Sequence, residues 1–226
     1  MQRIVLFDLD GTLTDPGLGI TNSVIYALDK FGILVEDRSE LYKFIGPPLL
    51  NSFMDFYGFD EEKANQAVIY YRELYNVTGK YENEVYEGVE EMLQTLKEQG
   101  LHLLVATSKP EYLAKDILEH FSLSQYFCVI AGSDLEGERN TKGKVIDYAL
   151  KQYAEQYNVA FEQVKQNAIM VGDRFHDIYG AKENGIQSIA VLYGYGNEEE
   201  FKQAGADYIA TTPMDIVCML QRKHEV

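Results

Sequence analysis

Short runs of apolar residues recur along the chain, and between them lie longer stretches in which apolar positions return every three or four residues. The runs are RIVLF (3–7), LHLLVA (101–106), FCVIAG (127–132), AIMVG (168–172), SIAVL (188–192) and DYIA (207–210). Each is nearly continuous, the pattern of parallel strands covered on both faces. The intervening stretches read as amphipathic helices. VEEMLQTLKEQG sets Val89, Met92, Leu93 and Leu96 on one face and stops at Gly100; PEYLAKDILEHF opens on Pro110; KGKVIDYALKQYAEQ follows the third strand. Alternation of this kind predicts an α/β layered fold on a parallel sheet, and the segment after Pro213 reads as a last helix.

Residues 16–81 break the alternation. They hold four helical patterns, ITNSVIYALDKFGI, SELYKFIG, PLLNSFMDFYG and DEEKANQAVIYYRELYNV, separated by turns at Gly32, Gly46-Pro47-Pro48 and Gly58. The expected organisation is a core of residues 1–15 and 82–226 with a four-helix domain, 16–81, inserted after the first strand. Its most useful role would be a lid over the carboxyl edge of the sheet.

Composition narrows the function. A length of 226 residues suits a large domain carrying a smaller one, and 46% hydrophobic with 25% charged residues is ordinary for a globular chain. The formal charge of −16 disfavours nucleic acid polymers and anionic membranes as partners. A small anion could still bind through a metal, a lysine or helix N-termini. Cys128 and Cys218 lack a C-x-x-C spacing and read as reduced thiols of a cytoplasmic protein. The first apolar stretch is too short for a signal peptide, and no run approaches the ~18 apolar residues of a membrane span.

The candidate chemistry lies where strands end. RIVLF runs into Asp8 and Asp10, LHLLVA into Thr107, Ser108 and Lys109, and AIMVG into Asp173 with Asp177 beyond. Open parallel sheets bind ligands outside these carboxyl ends. Asp8 and Asp10 fall on the same side of an extended backbone, Gly11 permits a sharp turn, and Thr12 can anchor it. D-x-D-G-T followed by Asp15 arises by chance in roughly one chain in ten thousand of this length, so an ordinary turn is a poor account of it. Asp177 has an alternative role as the cap of the helix that follows. Asp173 adds a third carboxylate, and an oxygen-only set without Cys or His suits Mg²⁺. Lys142 and Lys144, in N-T-K-G-K, compete as the positive point at a helix start, and His176 lies inside the acidic motif without being required as a ligand.

With these residues assembled, the chain resembles the haloacid dehalogenase superfamily of phosphohydrolases over nearly its whole length. The resemblance rests on DLDGTLTD, VATSKP, the helix-opening lysine of NTKGKVIDYAL, and VGDRFHD, in that order. The nearest branch is phosphoglycolate phosphatase-like, and DLDGTLTDPGLGI with FIGPPLLNSF is most similar to its 5′-nucleotidase-like members. The resemblance implies a Rossmann-like three-layer core with a C1-type helical cap. It implies Asp8 as nucleophile and Asp10 as acid and base. Mg²⁺ would be held by Asp8, Asp10 through its backbone carbonyl, and Asp173, with Asp177 behind them. Phosphoryl oxygens would be held by Thr107, Lys142 and Ser108, close to Gly11. Gly46 and Pro47 fall where the family's specificity loop lies, although a helix-breaking turn explains them equally well.

The implied activity is hydrolysis of a small phosphorylated metabolite, a 5′-nucleotide or 2-phosphoglycolate ahead of pyrophosphate and sugar phosphates, by a monomer or homodimer. The presence of Asp10 argues against a dehalogenase. The scattered basic residues of 16–81 argue against a β-phosphoglucomutase-like phosphotransferase, and the presence of Asp8 and Asp173 against a non-catalytic ligand sensor.

Overall fold

A computed structural model describes residues 3–134 and 137–221. The chain forms two compact units, one from residues 1–14 with 85–226 and one from 15–84. In the larger unit six strands run parallel: β1 (Ile4–Phe7), β4 (His102–Pro110), β5 (Phe127–Ser133), β6 (Ala168–Gly172), β7 (Gln187–Val191) and β8 (Tyr208–Ala210), in the order β5-β4-β1-β6-β7-β8. The order reverses beside β1, which makes the crevice at its carboxyl end the natural place for a ligand. Two further strands, β2 (Thr14–Asp15) and β3 (Glu84–Val85), form a separate two-stranded sheet.

The continuous apolar runs are explained by helices on both faces. Val5, Phe7, Leu103 and Val105 meet α4 (Val89–Glu98), α5 (Glu111–His120) and α10 (Pro213–Gln221). Ile4, Leu6, Leu104 and Met170 meet α6 (Lys142–Tyr157), α7 (Phe161–Gln166) and α8 (Phe175–Glu183). Phe201 of α9 (Glu198–Ala204) packs with Ile178 and Ala190. The face expected of α4, with Val89, Met92, Leu93 and Leu96, is fully buried. At about 1.5–3 kcal/mol per large side chain, these two layers supply most of the driving force for folding.

One departure from regularity bears on function. The β4–β5 ladder pairs Ala106 with Ala131 and next pairs Pro110 with Ser133. Four steps of β4 therefore face two of β5, and Thr107, Ser108 and Lys109 leave the ladder. Gly132 admits the detour, since a Cβ there would overlap the Lys109 carbonyl and the backbone of Glu111.

The smaller unit contains α1 (Gly17–Asp29), α2 (Leu49–Tyr57) and α3 (Glu61–Tyr75). The segment SELYKFIG, expected as a fourth α-helix, is instead a 3₁₀ helix over Arg38–Phe44. Its span is short, Asp37 caps it, and Gly46-Pro47-Pro48 prevents it from lengthening. The core of the unit is aromatic. Phe44 meets Phe53 edge-on at 5.1 Å, and Phe53 stacks on Phe59 at 6.1 Å. Tyr71 and Tyr75 are buried and stack on each other, while Tyr70 lies edge-on to Phe31, so all three pack within this unit. Among the described residues no helix is long and apolar enough to cross a membrane.

Candidate active site

β1 carries the chain to Asp8, whose N–H still donates to Val171 of β6 at 2.9 Å. The strand then ends, and Gly11 (φ 80°) turns the chain back so that its N–H reaches the Thr14 carbonyl. A side chain at Gly11 would be strained and would overlap the carboxylate of Asp173. The expected anchoring hydroxyl of Thr12 reaches across the sheet, contacting Asp173 Oδ1 at 3.5 Å.

Four carboxylates and two lysines gather here. Asp8, Asp173 and Asp177 are buried, with one oxygen of each lying within 4.8 Å of the others. Lys142, at the first position of α6, reaches Asp8 Oδ2 and Asp177 Oδ1, each at 2.8 Å, and donates to the Ala106 carbonyl. Lys109 reaches Asp10 Oδ2 at 2.7 Å. Lys144 instead binds Asn140 on an exposed surface, so of the two competing lysines only Lys142 joins the acids. Thr107 is buried beside them, its Oγ1 accepting from the Lys109 N–H, and Ser108 follows on the same detour.

Electrostatics follow from burial. Loss of hydration raises the pKa of Asp173, and Asp177 and Asp8 raise it further, against the Tyr195 N–H donated to its Oδ2 at 2.8 Å. Asp177 is pushed up to about 6 by burial, with Lys142 opposing the rise. Burial also raises Asp10, with Lys109 the largest opposing influence. Burial alone would lower Lys142, but Asp177 and Asp8 outweigh it and keep the ammonium charged.

Two ammonium groups leave two of the four carboxylate charges formally unbalanced. A buried excess of this size, presented by oxygens alone, fits one hard divalent cation beside the cluster of Asp8, Asp173 and Asp177. The side chain of Asp10 belongs to Lys109 and stands outside that trio. Asp177 also serves the helix. Arg174 is the N-cap of α8, and Asp177 reaches back from its third position to the Arg174 N–H. Gly46 and Pro47 lie in the smaller unit, between its 3₁₀ helix and α2.

Sequence reasoning missed the loop Tyr193-Gly194-Tyr195-Gly196 after β7. Tyr193 donates to the Thr12 carbonyl at 3.1 Å, and a Cβ on Gly194 would overlap the Gly11 carbonyl and Asp173. Gly172 is likewise closed against the Asp177 carboxylate. The signal available in the sequence was glycines at or shortly after strand ends, which composition alone reads as turns.

Comparison with known proteins places the chain among relatives. The model of a family described as haloacid dehalogenase-like hydrolase matches residues 5–191. A 5′-nucleotidase of Pseudomonas aeruginosa is 48% identical over 198 residues, 88% of this chain and 86% of that protein. The tyrosine-protein kinase PtkA of Mycobacterium tuberculosis is 36% identical over 95% of this chain and 68% of its own length. A crystal structure of a predicted phosphatase from Clostridium acetobutylicum superposes with a TM-score of 0.89 at 49% identity, covering 98% of this chain and 99% of the other.

Proposed function

The chain belongs to the haloacid dehalogenase-like hydrolase family, and on that footing we propose that it is an Mg²⁺-dependent hydrolase of small phosphomonoesters, with 5′-nucleotides the leading substrates and 2-phosphoglycolate next. The observation that carries the reading is Lys142 bridging Asp8 and Asp177 at 2.8 Å, beside the Asp10–Lys109 pair. It sets a carboxylate nucleophile, a second carboxylate and a fixed positive point at one strand edge. The relationship to the Pseudomonas 5′-nucleotidase supports the substrate class.

Asp8 is oriented through both oxygens, Oδ1 by the Leu9 N–H at 2.7 Å and Oδ2 by Lys142. One of these oxygens attacks phosphorus. As that bond forms, the ester P–O bond breaks, and the leaving oxygen takes the proton held by Asp10. The phosphoryl group is then an acyl phosphate on Asp8. Water attacks the same phosphorus, its proton passes to Asp10, and the Asp8 carboxylate leaves as inorganic phosphate departs. Thr107, Lys142 and the Ser108 N–H would hold the phosphoryl oxygens. Mg²⁺ held by Asp8, the Asp10 carbonyl and Asp173, with Asp177 behind, would offset the repulsion between the anionic ester and Asp8.

The test is phosphate release with Mg²⁺ or EDTA from nucleoside 5′-monophosphates, 2-phosphoglycolate, pyrophosphate, glucose phosphates and p-nitrophenyl phosphate, beside Asp8→Asn. Metal-dependent turnover abolished in Asp8→Asn is expected; folded, Mg²⁺-loaded protein that releases nothing would refute the reading. Transfer from Asp8 to an acceptor other than water is a second reading, favoured by the relationship to PtkA. It would appear as phosphorylated acceptor in excess of free phosphate.

A further inference from the structure

The two lysines of the site hold their aspartates differently. Asp8 has both oxygens engaged, one by a backbone N–H and one by Lys142. Asp10 has Oδ2 held by Lys109 at 2.7 Å, while Oδ1 is buried and has no hydrogen-bond partner among the described residues. The pair is shielded from solvent, with the side chains of Lys109 and Asp10 only 6% and 12% exposed.

The fold commits Lys109 to this contact. It is the last residue of the detour by which β4 leaves its ladder with β5. Its N–H is fixed to Thr107 Oγ1 at 3.2 Å, and its carbonyl packs where Gly132 leaves room.

We propose that Lys109 is a positioning residue which tethers Asp10 through Oδ2 and so holds the carboxyl in one rotation for passing a proton to the leaving group and later taking one from water. The proposal rests on the hydrolase reading above and deepens it. An untethered carboxyl would rotate about its Cβ–Cγ bond and present either oxygen, or neither, to the ester. The tether selects one rotation. The proton balance is unchanged: the proton leaves the Asp10 carboxyl for the ester oxygen as the P–O bond breaks, and a water proton restores it as the acyl phosphate is hydrolysed.

A role in aiming a proton has a signature that a structural role lacks. An alkoxide leaving group needs the proton, whereas p-nitrophenolate departs without it. The experiment measures kcat and KM for adenosine 5′-monophosphate and p-nitrophenyl phosphate with wild type, Lys109→Met, Lys109→Arg and Asp10→Asn, all Mg²⁺-loaded. Asp10→Asn sets the scale, since removing a general acid costs about 10²–10⁴-fold. Lys109→Met is expected to lower kcat on the nucleotide by about 10–100-fold with KM little changed, a loss at least tenfold greater than on the nitrophenyl ester. Lys109→Arg, which keeps a donor for Oδ2, recovers part of the nucleotide rate. Equal losses on both esters, a rise in KM alone, or no loss would each overturn the proposal. If Lys109→Met fails to fold by circular dichroism, Lys109→Gln carries the same comparison. No turnover of either ester by wild type, or no leaving-group difference in Asp10→Asn, would remove the hydrolase reading itself, and the proposal with it.

Discussion

Replacing Asp173 by Asn should make the cation-free protein more stable. One oxygen each of Asp8, Asp173 and Asp177 lies within 4.8 Å of the others, and at an effective dielectric of about 20 two such charges repel by about 3.5 kcal/mol. Lys142 answers Asp8 and Asp177 directly but makes no ion pair with Asp173. Asn keeps the oxygen that accepts from the Tyr195 N–H. Allowing for relaxation and partial protonation, the gain is about 1–3 kcal/mol, or roughly 3–10 °C in Tm for a chain of this size. The assay is thermal unfolding by circular dichroism at pH 7.5, in EDTA and in Mg²⁺. Mg²⁺ at a hundred times its Kd should raise the stability of wild type by about 2.7 kcal/mol and that of the variant by less, closing or inverting the gap. The pH dependence has a definite sign. Carboxyls with a raised folded pKa bind more protons folded than unfolded, so the contribution of Asp173 and Asp177 to stability in EDTA is fully present in acid and is lost as pH rises. The loss begins near the unfolded value of 3.8 and runs through about 6 for Asp177, and the raised Asp173 contributes a loss of the same sign. A variant that melts at or below wild type in EDTA, or that gains as much from Mg²⁺ as wild type does, would refute the argument.

Two further outcomes test other parts of the molecule. Phe53→Ala, which empties the centre of the aromatic core of the smaller unit, should cost about 3–5 kcal/mol in urea denaturation. Gly11→Ala puts a Cβ on a residue with φ of 80° and against the Asp173 carboxylate; it should cost about 1–2 kcal/mol and abolish the Mg²⁺-dependent shift in Tm.

The sheet was legible because its strands are buried on both faces, so burial wrote unbroken apolar runs into the sequence. AIMVG begins and ends where β6 does, and RIVLF exceeds β1 only by Arg3. The 3₁₀ helix over Arg38–Phe44 was not, because helical periodicity over so short a span does not distinguish three residues per turn from 3.6. Within the site, the carboxylates and Lys142 stood out by residue type and by their place at strand ends. Lys109 was visible there too, yet its pairing with Asp10 depends on a ladder shift that no local pattern records. Gly194 and the Tyr195 N–H act through backbone proximity across the fold, which leaves only unremarkable turn residues in the sequence.

The detour in β4 carries a further consequence through its parity. It adds two steps to one strand, an even number, so the ladder resumes at Pro110 and Ser133 with inward and outward faces still in phase. The sheet and the three residues of the detour are thus separable: Thr107, Ser108 and Lys109 are presented at the edge while the paired part of the strand keeps its packing.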